Sequence, residues 1–263
     1  MIHNRVFKGE DETGELRQSY TEIKQVCEEV ERIAYVDKHR MRFWEWAMAA
    51  EIARLNLGDF SDKRVLEIGT GRGPSLLWYK GKGADCYASD MEIRGDDFVD
   101  VMKAYGISYT VADIHSLPFE DGYFDYAYSI CVLEHISNLC VSNREPFQKK
   151  VADGICEVLR VLKSGGIFTS TVDFYLVGDA ADSWRAFTAG DLRRIASFVG
   201  DVAEHYGGML YEVPDHFEYL KRESTIWSPG DPRKLALNVL LDMRMRIDSN
   251  YARTCASFVM RKK

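Results

Sequence analysis

The chain has 263 residues, 46% of them hydrophobic and 29% charged, with a formal net charge of -7. That length suits one large domain, or one domain with a cap, and the composition is that of a soluble globular protein. The acidic balance weighs against a nucleic-acid partner, since phosphate backbones select basic faces, and no run of about eighteen apolar residues offers a membrane span.

Residues 1 to 14 are polar and read as irregular, without the apolar run of a signal peptide. The six cysteines (Cys27, Cys86, Cys131, Cys140, Cys156, Cys255) show no C-x-x-C pair or framework spacing, as expected of a reducing cytoplasm. Each is expected to act as a small buried hydrophobe. From Glu15 to about Ala34, Leu16, Tyr20, Ile23, Val26, Cys27, Val30 and Ile33 recur at helical spacing. A second helix carries Met41, Trp44, Met48, Ile52 and Leu55 on one face and ends near Gly58. These helices form a leader over residues 1–60, either a cap over a site or a plain helical layer.

A strand near 64–68 follows, running into Glu67-Ile68-Gly69-Thr70-Gly71-Arg72-Gly73-Pro74. Glycines at every second position suit a backbone that turns sharply and approaches a ligand, and proline suits the first turn of a helix. The pattern then alternates: a helix from Pro74, a strand near 84–89, a helix near 96–105, a strand near 107–111 and a strand over about 123–130. A helix near 147–162, with a glycine stop, leads to a fifth strand from Ile167 to Val172. Such alternation predicts an α/β fold, a doubly wound and mostly parallel sheet with helices on both faces. Thr188 with Asp191 predicts a helix N-terminus, and the helix should end near Gly200. A sixth strand is expected around Met209 to Val213 and the last around Cys255 to Met260. Between them an insertion, about 214–253, includes an apolar-rich helix from Pro232 to Ile247. The Rossmann-like domain thus spans 61–263, and the insertion is expected to serve as a substrate lid or a homo-oligomer interface.

The glycine spacing separates cofactors. A dinucleotide fingerprint requires G-x-G-x-x-G, whereas Pro74 stands where its last glycine would be and the motif is E-x-G-x-G-x-G. This resembles the first motif of the class I S-adenosylmethionine-dependent methyltransferases, in particular the UbiE-like, type 11 small-molecule group. Four further segments resemble the same family in order: Tyr87-Ala88-Ser89-Asp90, Val111-Ala112-Asp113-Ile114, Leu117 through Asp125 with Val132-Leu133-Glu134-His135-Ile136, and Leu159 through Gly166. The resemblance covers about residues 62 to 173. It implies a seven-stranded Rossmann-like sheet with an antiparallel last strand, and S-adenosylmethionine as cofactor.

Residue by residue, the resemblance implies that Gly69, Thr70, Gly71 and Gly73 let backbone approach the methionine moiety and ribose, with Glu67 ordering the loop or the ammonium end. Asp90 would take the ribose diol and Met91 pack on adenine. Asp113 would meet the adenine amine, with Ile114 beside it, and the Ile130 carbonyl would hold the cofactor ammonium. Structural readings stand beside these: a strand-end acid for Glu67, a helix cap for Asp90, a turn aspartate for Asp113.

Methyl transfer from a sulfonium is an in-line displacement whose catalysis is mainly positioning. No metal is required, and the histidines (His3, His39, His115, His135, His205, His216) are scattered without ligand spacing. A hydroxyl acceptor needs a base, and His135, just past strand four, is the first candidate, because an ordinary imidazole titrates near about 6.5. Asp173, ending strand five, is the second, and His115 is expected to flank the adenine pocket. Phe174, Tyr175, Trp184 and Phe187 could line an acceptor pocket, with Arg185 for an anionic acceptor. The expected activity is methylation of a small molecule, with oxygen favoured; the absence of N-P-P-Y or D-P-P-Y argues against a nucleobase. The alternatives are a catalytically silent partner subunit and a nicotinamide-dependent oxidoreductase.

Overall fold

A computed structural model describes residues 16–36, 40–136, 144–177, 187–205 and 252–263. In chain order the elements are α1 (Arg17–Val30), α2 (Arg40–Leu57), β1 (Arg64–Ile68), α3 (Ser75–Gly81), β2 (Asp85–Asp90), α4 (Asp96–Ala104), β3 (Ser108–Val111), β4 (Phe124–Ile130), α5 (Glu145–Val161), β5 (Leu162–Val177), α6 (Ala189–Phe198), β6 (Ala203–His205) and β7 (Ala252–Lys262). The strands form one seven-stranded sheet in the order β3-β2-β1-β4-β5-β7-β6. β1 to β5 pair in parallel, while β7 runs antiparallel to both β5 and β6. The sheet is the expected α/β doubly wound one.

Alternation along each strand divides the core between two faces. Val65, Tyr126, Tyr128 and Ile167 pack with α1, α2, α3 and α4. Leu66, Ala127 and Phe168 face the other way, against α5 and α6. The leader helices therefore belong to one face of the sheet. In α1, Ile23, Cys27 and Val30 are buried as their spacing predicts, but the helix stops at Val30. Ile33 and Ala34 there donate to the Val30 carbonyl, and Ile33 is left exposed. In α2, Trp44 through Ala50 are buried consecutively, so the helix is enclosed on all sides rather than along one stripe, and Leu55 lies exposed.

Two expectations are corrected on the far side of the sheet. α5 does not end on a glycine: it passes directly into β5, with Leu162 already extended. Its last carbonyls find partners from elsewhere in the chain. The Gly122 and Tyr123 N–H groups donate to Arg160 O and Val161 O, and Lys262 Nζ donates to Arg160 O and Leu162 O. Gly165 and Gly166 instead sit in a register shift inside β5, between the Phe124–Leu162 and Tyr126–Ile167 pairs. The sixth strand begins at Ala203, ahead of the expected segment, because the turn after α6 places Ala203 opposite Lys262. Residues 209–213 and most of the 214–253 insertion, including the Pro232 to Ile247 helix, lie outside the described residues, though 252 and 253 already belong to β7. At α6 the Thr188–Asp191 capping box forms as expected.

Candidate active site

The strand order reverses between β1 and β4, and α/β sheets of this kind bind ligands at the carboxyl ends of the strands flanking such a point. The loop after β1 is shaped there by backbone contacts. Gly69 and Thr70 N–H donate to Ser89 O at the end of β2, at 2.7 and 3.2 Å. Gly69 has φ +67, and a Cβ on it would stand 2.3 Å from a Val132 methyl beyond β4. Gly71 N–H donates to Asp90 Oδ2 at 2.8 Å, so the acid that ends β2 holds the loop. A Cβ on Gly73 would press on the Trp46 indole of α2, 3.1 Å away. Glycine is thus required at the first position by conformation and space together.

Beneath this loop Glu67 is buried. Its Oε1 accepts from the Ser75 hydroxyl at 3.0 Å, and Ser75 in turn meets the Tyr128 hydroxyl at 2.9 Å. Oε2 is buried with no hydrogen-bond partner among the described residues. Burial pushes the Glu67 pKa up to about 8, against the pull of Ser75, Tyr128 and the Arg42 charge. Such an acid is substantially protonated at neutral pH and would ionise if a cation approached.

These groups open on a cleft of about 780 Å³, a volume suited to a cofactor-sized ligand. Glu67, Gly69, Thr70, Gly71, Gly73, Asp90, Met91, Ile114 and Ile130 all line it. Asp90 is nearly buried, with Oδ1 4.0 Å from Arg94 Nε. Met91 is largely exposed at the rim. His135 lines the opposite wall, exposed, on the short 3-10 turn Leu133–His135.

Other candidates are placed elsewhere. Asp113 is not on the cleft wall, although Ala112 and Ile114 on either side of it are. Its Oδ1 accepts from the His115 N–H and meets His115 Nδ1, at 2.9 and 2.7 Å, contacts that lower its pKa. That local turn takes up the carboxylate expected on adenine, and an Asp capturing the N–H two residues on is ordinary turn chemistry. His115 faces away too, its Nε2 3.0 Å from Lys150 O on α5. Asp173 is half-buried behind the wall, where its N–H donates to Glu134 Oε1 at 3.4 Å. Phe174 and Phe187 are core residues. Trp184, Arg185 and the Tyr175 side chain lie outside the described residues.

The structure also adds lining residues that no motif indicated: Tyr35, Arg42 and Trp46 from the leader, and Cys131. The leader is therefore both a helical layer and a wall of the cleft. Cys131 has φ +52, a conformation uncommon for a residue with a Cβ. Its thiol donates to the buried carboxylate of Glu45 at 2.7 Å. A signal existed in the sequence, since Glu45 is a charge set in the apolar stretch Phe43 to Ala50, with Arg42 directly before it.

Residues 66–170 match a family model described as "Methyltransferase domain". Among solved structures, the [4+2]-cyclase SpnF is similar at 18% identity with a TM-score of 0.53, over 99% of this chain and 98% of that one. Phosphoethanolamine N-methyltransferase 2 of Haemonchus contortus, solved with S-adenosyl-L-methionine, is similar at 18% identity with a TM-score of 0.51, over 82% of this chain and 52% of that one. At such identities the likeness is one of fold. No curated protein matches the chain. Among the described residues, no helix is long and apolar enough to cross a membrane.

Proposed function

Because residues 66–170 are a methyltransferase domain of the class I, S-adenosylmethionine-dependent kind, we infer that this protein transfers a methyl group from that cofactor to a small-molecule acceptor in the cleft. The observation that supports the reading best is the joining of Gly71 N–H to Asp90 Oδ2 above a buried, half-partnered Glu67. One carboxylate shapes the glycine loop and keeps a second oxygen for a diol. The other has an orphan oxygen suited to an ammonium.

When bound, the cofactor supplies a methyl carbon made electrophilic by its sulfonium. Gly69, Thr70, Gly71 and Gly73 bring backbone close to it, Asp90 holds its ribose, and Glu67 favours its cationic end by ionising. Met91 and Ile114 offer apolar contact at the adenine end, and the Ile130 carbonyl an acceptor at the other. Trp46 and Arg42 close the cleft from the leader side and limit water. A hydroxyl acceptor must lose a proton during transfer, and His135, facing the cleft from beyond β4, is the base in this reading. Asp173 stands behind the wall and acts on an acceptor only through its neighbours.

Calorimetric titration with S-adenosylhomocysteine and, separately, with NAD tests the cofactor assignment. Micromolar binding of the first alone is expected; binding of NAD alone would overturn it. With an acceptor in hand, His135→Ala should lower turnover by about 10²-fold or more, the usual contribution of a positioned acid or base. Cofactor affinity should be unchanged, and unaltered turnover would remove His135 from the chemistry.

A further inference from the structure

Behind the Cys131 side of the cleft, the fold gathers two thiols and three carboxylates that the methyl-transfer reading does not use. Glu45 comes from the middle of α2, Cys131 from the tip of β4 and Cys255 from β7. One ligand atom from each lies within 4.8 Å of the other two. On the other side of Cys131, oxygens of Glu134 and Asp173 form a second group with its sulfur at the same spacing. We propose that Glu45, Cys131 and Cys255 hold one thiophilic divalent cation of the zinc class, pinning the leader helix to the sheet beside the cleft.

The geometry fits a single ion. With metal–sulfur bonds of about 2.3 Å and metal–oxygen bonds of about 2.0–2.2 Å at tetrahedral angles, ligand atoms on one ion stand about 3.5–3.8 Å apart. Shifts of about 1 Å would bring this triad into that range, with Cys131 Sγ moving away from Glu45 Oε1, now 2.7 Å distant. The ligands are also held from outside, as metal ligands usually are. The Thr171 hydroxyl donates to Glu45 Oε1 at 3.0 Å, and Arg42 Nη1 stands 3.1 Å from Glu45 Oε2. Cys131 N–H donates to Thr171 O at 3.0 Å, which fixes the uncommon backbone conformation aiming its thiol inward.

Beside the triad, one buried carboxylate oxygen lacks a hydrogen-bond donor among the described residues. Glu134 is 1% exposed, and its Oε2 has no hydrogen-bond partner among the described residues. Buried polar oxygens are nearly always satisfied, and buried acids are paired or bind metal. A divalent ion would displace the protons of both thiols, so two thiolates form as two protons leave and the local charge stays in balance. Two sulfur ligands select a zinc-like ion over magnesium or calcium, which prefer oxygen alone.

The full-length protein, reduced and stripped with a chelator, can be titrated with cobalt(II) as a spectroscopic probe and then with zinc. One equivalent should produce thiolate-to-cobalt charge-transfer absorption, and zinc should abolish it. Cys131→Ser and Cys255→Ser should each weaken binding by more than the about 10–100-fold that loss of an outer partner costs, with Thr171→Val falling inside that range. Cys156→Ser, an exposed cysteine on α5, should change nothing. Far-ultraviolet circular dichroism and a cooperative denaturation transition serve as the check that each variant is folded. Absence of the absorption in folded, reduced wild-type protein would overturn the proposal, as would its survival in the Cys131→Ser/Cys255→Ser variant.

Discussion

The two walls of the cleft are built in opposite ways. The glycine-loop wall comes from two short stretches, residues 67–75 and 89–91, joined by backbone N–H groups that donate to Ser89 O and Asp90 Oδ2. The facing wall is assembled from parts far apart in the chain: Arg42 and Trp46 on α2, and Cys131, Val132, His135 and Ile136 after β4. Behind it stand Glu45 on α2, Asp173 on β5 and Cys255 on β7. The first wall has its geometry in the backbone and is the one that faces the cofactor in the proposed function. The second rests on side chains from separate segments, two of which, Trp46 and Val132, also pack against the loop glycines.

Substitutions on the two walls should separate. The largest effect is expected from Trp46→Ala: removing a fully buried indole should cost about 3–5 kcal/mol of stability, read from chemical denaturation. A loss below about 1 kcal/mol would mean that the leader is not integral to the core. Gly69→Ala should follow, because a left-handed backbone costs about 1–2 kcal/mol for a residue with a Cβ, and the new methyl must displace Val132, 2.3 Å away. Its signature is weakened S-adenosylhomocysteine binding, and unchanged affinity would show that the loop tolerates reshaping. Asp90→Ala removes both the loop contact and the proposed diol acceptor. Its affinity should drop by roughly tenfold or more, as hydrogen bonds to charged groups contribute about 1.5–3 kcal/mol. Stability should change less than in Trp46→Ala; equal losses would erase the distinction between the walls.

The subtlest test is the pH dependence set by Glu67. Its carboxyl titrates at about 8 in the folded protein against an ordinary 4.5, chiefly because it is buried. Between those values the folded state holds a proton that the unfolded state has lost. Stability of the ligand-free protein should therefore fall as pH rises through this window. Other buried acids, such as Glu134, act in the same sense, so the contribution is isolated by difference. Denaturation midpoints at two pH values inside the window should differ less in Glu67→Gln than in the wild type. An identical pH dependence would show that Glu67 does not carry a raised pKa.

Much of the scaffold was legible because periodicity and punctuation are local. β1, α4 and the capping box of α6 form where apolar spacing, glycines and Thr188 place them. The errors arise where distant chain decides. α5 reads as needing a glycine stop, yet Lys262, about a hundred residues on, donates to its terminal carbonyls. Leu55 belongs to an apolar stripe by spacing and is exposed, while Glu45, a charge, is fully buried.

By itself the sequence determined the sheet, its parallel alternation and the glycine turn after β1, because strand period and backbone conformation are written in neighbouring residues, and the family resemblance pointed to Glu67 and Asp90 beside that turn. Only the tertiary structure decided that Cys131, Cys255 and Glu45 meet, that Arg42 and Trp46 line the cleft, and that Asp173 stands behind its wall. Those groups are brought together by the order in which strands pair and by helices packing across the sheet, long-range contacts that leave no spacing to read.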